Sequence, residues 1–240
     1  MANRYIQIFA TLCFAACITP SCTGPRDNRL SDQEKKDGWV LLFDGSSTKG
    51  WHLYNKGETP SAWTADSGQL ICDPLAKSEH GDLVSDGEYK NFDLKFDWKI
   101  NKGGNSGVFI NVNEKQEIPA AWASGPEYQL LEPSNRDQKE PTKRTGALFG
   151  FVPAKDPVTP KPFGRWNSSE IKQQDGKIEF YLNGTLTDQR DFTSQGWTDS
   201  IANTYFKNFP GFGRRTTGRI ALQDWANGVS FKNIKIRATP

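Results

Sequence analysis

Nine consecutive residues constrain this chain more than any others. In Phe92-Asp93-Leu94-Lys95-Phe96-Asp97-Trp98-Lys99-Ile100 every second side chain is large and apolar. Successive side chains of an extended strand point to opposite faces, so this run presents one greasy face and one charged face. A second layer must cover the first face while water takes the other. Residues 38–43 form a further apolar run, closed by the turn cluster Asp44-Gly45-Ser46-Ser47. Residues 108–112 follow the glycine-rich stretch 102–107, which predicts a hairpin with residues 92–100. Residues 166–173, 177–182 and 185–190 are separated by Asp175-Gly176 and Asn183-Gly184. These dipeptides favour two-residue hairpin turns, so a three-stranded meander is expected. Residues 219–224 and 229–237 bring the total to about a dozen short strands. A short helix is expected at 199–206, and the Pro-rich stretch 152–163 reads as a surface loop. The pattern is all-β, a sandwich rather than a helix-covered parallel sheet.

The N-terminus has a different character. Arg4 precedes an apolar run over residues 5–18, and small or polar residues then lead to Cys22. This is the layout of an export signal, and the run is shorter than the ~20 apolar residues of a membrane-spanning helix. The expected division is a signal peptide over 1–21, a flexible polar tether over 22–37 and one domain over 38–240. Lipid attached to Cys22 would make the chain a periplasmic or outer-membrane-anchored lipoprotein. Cys17 is the alternative attachment point, and cleavage without lipid the alternative process. Cleavage at Cys22 leaves Cys72 as the one thiol, so the domain must be held by its core rather than by disulfides. The 30 Lys and Arg are interleaved with 28 Asp and Glu without a basic stripe, so no nucleic-acid partner is expected. Fifteen Phe, eight Trp and six Tyr suit strands and offer flat faces to sugar rings.

Three stretches could carry chemistry. If Gly125-Pro126-Glu127-Tyr128-Gln129-Leu130-Leu131-Glu132 is a strand, Glu127 and Gln129 share one face and Tyr128 and Leu130 the other. An acid and an amide side by side can exchange a proton and orient a hydroxyl, or form a merely solvated face. In Gly218-Arg219-Ile220-Ala221-Leu222-Gln223-Asp224-Trp225, polar groups gather at the end of an apolar strand. Trp225 there is either a sugar platform or core. The loop Gly103-Gly104-Asn105-Ser106-Gly107 permits close approach of a ligand to backbone, or simply makes a tight turn. His52 and His80 have no zinc-ligand spacing, and no Gly-x-Ser-x-Gly elbow is present.

Taken in order, these and other pieces resemble one family. They are Leu41-Leu42-Phe43-Asp44-Gly45 with Gly50-Trp51, Gly81-Asp82-Leu83-Val84, Tyr89-Lys90-Asn91-Phe92, Asn105-Ser106-Gly107-Val108-Phe109 and Gly125 to Leu131. Trp166-Asn167, Leu182-Asn183-Gly184, Leu222-Gln223-Asp224 and Phe231-Lys232-Asn233-Ile234 complete the set. The chain is similar to the 3-keto-disaccharide hydrolases. The resemblance implies a concanavalin-like jelly-roll β-sandwich of two antiparallel sheets and a saccharide substrate whose third ring carbon is a ketone. The motif positions it places near the pocket are Asn105, Glu127, Gln129, Gln223 and Asp224; Glu127 and Asp224 are the expected catalytic residues, and Asn105, Gln129, Gln223, Trp225 and Arg219 the expected sugar-binding ones. A divalent cation is the one cofactor it implies, with Glu127, Gln129 and Asp224 as the candidate ligands. Arg219 and Trp225 stand where relatives often carry histidine. A ketone at carbon 3 acidifies the hydrogen on carbon 2, so elimination of the glycosidic oxygen from carbon 1 and hydration would amount to hydrolysis. That route needs a base, Glu127 or Asp224, and a group to stabilise the enolate. A lectin-like binding module and an ordinary glycosidase of the same fold are the rival readings.

Overall fold

In the computed structural model the structure describes residues 27–151 and 158–240. The export signal and Cys22 lie outside these residues. Thirteen strands follow in chain order: β1 (Trp39–Leu41), β2 (Trp51–Leu53), β3 (Trp63–Asp66), β4 (Gln69–Cys72), β5 (Leu83–Tyr89), β6 (Phe92–Ile100), β7 (Asn105–Val112), β8 (Glu127–Leu131), β9 (Asn167–Gln174), β10 (Lys177–Leu182), β11 (Thr185–Asp191), β12 (Gly218–Leu222) and β13 (Val229–Ala238). Two α-helices, α1 (Asp32–Lys36) and α2 (Gln195–Ala202), are short.

Every strand pair is antiparallel, and the strands divide into two sheets. The larger, eight-stranded sheet runs β11-β10-β9-β6-β13-β4-β3, with β1 also on β13. The smaller, five-stranded sheet runs β2-β5-β12-β7-β8. This is the concanavalin-like jelly-roll sandwich that the resemblance implies. Its core is where the inner faces meet: Leu94, Phe96, Trp98, Phe180 and Phe231 from the large sheet, and Val108, Ile110, Tyr128, Leu130 and Leu222 from the small one, are all buried. Burial on this scale, at about 25 cal/mol per Å² of apolar surface, is the main driving term for the fold. Cys72 is buried and free, so no disulfide joins the described residues.

The alternation in β6 is realised, with Phe96, Trp98 and Ile100 buried between half-exposed Lys95, Asp97 and Lys99. The meander β9-β10-β11 is also as expected. Its turns place Asp175 and Gly176 at φ 49° and 77°, and Asn183 and Gly184 at φ 49° and 84°, the pair of positive values that tight hairpin turns require.

Three expectations are corrected. Residues 92–112 form no hairpin: β6 lies between β9 and β13 in the large sheet, whereas β7 lies between β12 and β8 in the small one. The glycine-rich loop crosses between layers, pinned by the Glu132 carboxylate on the Gly103 N–H at 2.9 Å and by the Asn135 amide on the carbonyls of Gly103 and Gly104. The described part of the expected tether is docked rather than free. Asn28 is buried and exchanges hydrogen bonds with Asn233, and Ser31 and Glu34 form a capping box that starts α1. Glu34 also pairs with Lys235 of β13. The expected helix over 199–206 is displaced toward the N-terminus, as α2, because Ser194 caps it through the Trp197 N–H.

Candidate active site

β8 explains how the site is built. Tyr128 enters the core, where its hydroxyl meets Ser169 of β9 at 2.8 Å and its ring stands edge-on to Phe180 at 5.0 Å. Trp98 donates to the same Ser169 oxygen at 2.9 Å. With Tyr128 and Leu130 held inside, the two-residue period turns Glu127 and Gln129 to the outer face of the small sheet. That face is covered, so all five residues of β8 are buried.

Register builds two rows across the sheet. Glu127 lies opposite Phe109, Phe109 opposite Ala221, Ala221 opposite Val84 and Val84 opposite His52. In the next row Gln129 lies opposite Gly107, whose carbonyl accepts from the Gln223 N–H at 2.9 Å. The Glu127 side chain leans from one row over the other: a Cβ on Gly107 would stand 2.1 Å from Glu127 Oε1. The missing side chain of Gly107 is therefore what gives the carboxyl its place.

Glu127 sits in a cleft of about 400 Å³. Asn105, Gln129, Gln223 and Trp225 line it too, together with Asp137, Lys143 and an aromatic wall that includes Trp122 and Tyr205. Trp225 is 71 % exposed and Tyr205 66 %, so each offers a flat face at the mouth. The floor is dry by contrast. Glu127 is 6 % exposed, and its carboxyl makes no hydrogen bond to any described residue. Burial, reinforced by the nearby charge of Asp82, raises its pKa well above the ordinary carboxyl value. Among the described residues, Asn105 Oδ1 and Gln223 Oε1 are buried without a partner. Buried polar atoms are almost always hydrogen-bonded, so orphans gathered in one cleft mark a place made for a ligand.

The sequence expectations divide here. Glu127, Asn105, Gln129, Gln223 and Trp225 come together in the cleft; Asp224 and Arg219 do not line it. Asp224 falls between Gln223 and Trp225, and its carboxylate accepts from the Gly81 N–H at 3.1 Å and meets His80 Nδ1 at 2.7 Å. Arg219 is bound to Glu114 at 3.2 Å and to the carbonyls of Ser85 and Asp86. Glu114 also holds His52 at 2.8 Å. The Gln129 oxygen accepts from the Leu130 N–H at 3.0 Å. Glu127, Gln129 and Asp224 therefore do not converge as a cation's ligands, and no group of three His, Cys, Asp or Glu among the described residues is arranged to hold one.

Residues 38–237 match the 3-keto-alpha-glucoside-1,2-lyase-like domain family. A 3-keto-disaccharide hydrolase of Bacteroides thetaiotaomicron is 30 % identical over 229 residues, which cover 84 % of this chain and 78 % of the relative. The chain belongs to the 3-keto-disaccharide hydrolase family. A solved structure of a candidate glycosyl hydrolase from Parabacteroides distasonis superposes with a TM-score of 0.81 at 32 % identity, covering 90 % of this chain and all 100 % of that one. A second from the same organism gives 0.66 at 25 %, covering 84 % and 99 %. Membership in the 3-keto-disaccharide hydrolase family makes the protein a carbohydrate-active enzyme of glycosidase type.

Within this 3-keto-disaccharide hydrolase scaffold, sequence reasoning missed Trp122, Asp137, Lys143 and Tyr205. Each comes from a loop or a short helix outside the sheet, where no period marks a facing side chain. It also missed the contact between His80 and Asp224, which are 144 positions apart.

Proposed function

We propose that the protein cleaves glycosides whose sugar carries a ketone at carbon 3, by elimination across carbons 1 and 2 followed by hydration. One observation carries this reading: Glu127 is a carboxyl only 6 % exposed on a dry floor, bonded to no described residue and set beside amide oxygens without partners, surroundings that favour its neutral form. A neutral carboxylic acid donates a hydrogen bond, and in a water-poor cleft it is well suited to oppose charge appearing on a carbonyl oxygen. Removal of the carbon-2 proton from a 3-keto sugar produces that charge. The orphan oxygens of Asn105 and Gln223 would accept from sugar hydroxyls, and Trp225 and Tyr205 would stack on the ring beyond the scissile bond. The burial that suits Glu127 to donate makes it a poor resting base, which moves it from the base role to the donor role. The name of the Bacteroides relative, a 3-keto-disaccharide hydrolase, supports the substrate class. The reading uses no cation, because the expected ligand set is not assembled.

The test compares a disaccharide with its 3-keto form by mass spectrometry of the products. Cleavage of the oxidised sugar alone, reduced roughly 100-fold or more in Glu127→Gln, is the expected result. Equal cleavage of both sugars would make the protein an ordinary glycosidase. Saturable binding with ligand recovered intact would make it a lectin-like module. We also propose that the chain is exported and carries lipid on Cys22; metabolic labelling with palmitate, lost in Cys22→Ala but not in Cys17→Ala, checks this.

A further inference from the structure

With Glu127 as donor, the reaction still lacks a base. Asp82 stands immediately before β5, and sheet pairing continues through it because the Tyr54 N–H donates to its carbonyl at 3.0 Å. Leu83 lies opposite Leu222 and Val84 opposite Ala221, so one more step of the same register sets Asp82 opposite Gln223. Gln223 is in turn bonded to Gly107. Asp82, Gln223, Gly107 and Gln129 thus form one row, and Glu127 leans over the Gly107 position of that row. Asp82 shares its face with Val84, which packs with Phe109 and Ala221 on the outer side of the small sheet. The register thus sets Asp82 on one side of Gln223 and the Gly107 position that Glu127 covers on the other, with Gln223 Oε1 between them bonded to no described residue.

We infer that Asp82 is the proton-accepting partner of Glu127, the two working as an acid–base pair on either side of Gln223. The inference rests on the 3-keto-glycoside reading above. Asp137, which lines the cleft with Glu127, is paired with Lys143 at 3.7 Å; Asp82 stands just behind the lining, next to Gln223, and has no cation beside it among the described residues. Its surroundings are Asp224, whose N–H donates to Asp82 Oδ1 at 3.1 Å, His80 held on Asp224, the buried thiol of Cys72, the Tyr54 phenol and Glu127. Burial, with the charge of Asp224 adding to it, pushes Asp82 up to about 7. Glu127 is raised too, mainly by its own burial and then by the charge of Asp82. Asp82 ionises as pH rises through about 7, and burial together with that charge favours the protonated form of Glu127, because like charges placed together separate two such titrations.

The step balances. Asp82 takes the proton from carbon 2, and that electron pair moves onto the carbonyl oxygen as an enolate; it then returns to make the carbon 1–carbon 2 double bond as the carbon 1–oxygen bond breaks. The departing oxygen takes the proton from Asp82. Glu127 keeps its own proton throughout, hydrogen-bonded to the carbonyl oxygen while that oxygen bears charge. Water then adds its oxygen to carbon 1, gives a proton to Asp82, and Asp82 returns one to carbon 2.

A 3-keto-1,5-anhydrohexitol, which has the ketone but no leaving group at carbon 1, isolates proton abstraction. In deuterium oxide the wild-type protein is expected to exchange the carbon-2 hydrogen, followed by NMR, with a rate that rises through about pH 7 as Asp82 ionises. Asp82→Asn keeps the acceptor for the Asp224 N–H, and should lose roughly 100-fold or more of both exchange and cleavage without melting earlier than wild type. If Asp82→Asn melts early, Asp82→Glu replaces it: this variant keeps the charge, and should exchange more slowly with the same acid limb. Wild-type exchange surviving in Asp82→Asn overturns the pairing while leaving the substrate reading intact. Exchange lost in Asp137→Asn but kept in Asp82→Asn overturns it in favour of Asp137. A wild-type protein that neither cleaves 3-keto-disaccharides nor exchanges this hydrogen overturns both.

Discussion

On the outer face of the large sheet, lysines and arginines lie over aromatic rings: Lys95, Lys235 and Arg237 over Trp39, Lys99 and Lys232 over Trp166, and Lys172 over Tyr181, at 4.6 to 5.7 Å from the ring centroids. Acids stand beside many of them, as Glu170 does for Lys95 and Lys172 at 3.4 and 3.5 Å. On the outer face of the small sheet, Asn105 Oδ1 and Gln223 Oε1 are buried without a partner among the described residues and the Glu127 carboxyl bonds none of them, whereas on the large sheet the unpartnered atoms Asp93 Oδ1 and Arg237 Nε belong to side chains already paired with each other at 3.2 Å. The large sheet has the roomier cleft, about 550 Å³ against about 400 Å³. Room alone therefore does not locate the site. A surface whose charges find one another has little left to offer a ligand, whereas one that keeps polar atoms dry and unpaired is destabilised until a ligand arrives.

The largest effect expected from disturbing this contrast comes from Gly107→Ala. The new methyl would stand where Glu127 Oε1 now lies, so the carboxyl must move by an ångström or more. Displacements of that size cost about 100-fold in rate, and a comparable fall in kcat/KM on the 3-keto substrate is expected in a protein that still folds. A rate within threefold of wild type would show that the position of Glu127 is unimportant.

Stability should respond next, and with a defined sign. Glu127 is raised in the folded state above its ordinary value of 4.5, so the folded protein binds its proton more tightly than the unfolded chain does. Its favourable contribution is complete below pH 4.5 and is lost as pH rises toward the folded-state value. Glu127→Gln escapes this loss. Its melting temperature should exceed that of wild type by a few degrees at pH 8, about 2–4 °C for each kcal/mol in a domain of this size, and the gap should close toward pH 4. Equal melting curves at pH 8 would mean that Glu127 is not held neutral.

Trp225→Ala sharpens the contrast at the mouth of the cleft. Trp225 is exposed beside a dry floor, so its removal should raise KM for the disaccharide about tenfold, equivalent to about 1.4 kcal/mol, with kcat within twofold. A fall in kcat at unchanged KM would place the indole in the chemistry instead.

Much of this was legible in the sequence, for reasons that vary along the chain. β6 could be read because one of its faces is core and the other wet, so hydropathy alternates with the pleat. The meander could be read because Asn-Gly and Asp-Gly state their own backbone angles. In β8 the parity of Glu127 and Gln129 was readable, but their burial was not: a strand covered on both faces has no hydropathic signature, and the covering groups, such as Trp122 and Tyr205, arrive from distant loops. Asp82 and Gln223 are neighbours only through register between strands remote in sequence. The place of Asp224, outside the lining of the cleft, was not readable from the cluster of polar groups at its strand end. The period of two sends Gln223 and Trp225 to the cleft and Asp224 to His80.

The smallest effect belongs to the paired face, and it tests the contrast from the other side. Lys172 lies 4.8 Å from the Tyr181 ring centroid and 3.5 Å from Glu170. It has the outward marks of a binding residue, a cation beside an aromatic ring and a carboxylate at a cleft in which Glu170 and Tyr181 both take part. If these contacts serve only the fold, Lys172→Ala should cost no more than about 0.5–1 kcal/mol of stability, since exposed cation–π and ion pairs contribute little and are screened by salt. Activity should be unchanged because the missing charge faces away from the small sheet. A fall of threefold or more in kcat/KM, with stability intact, would mean that substrate reaches the large sheet, and that pairing of surface charges does not exclude a ligand there.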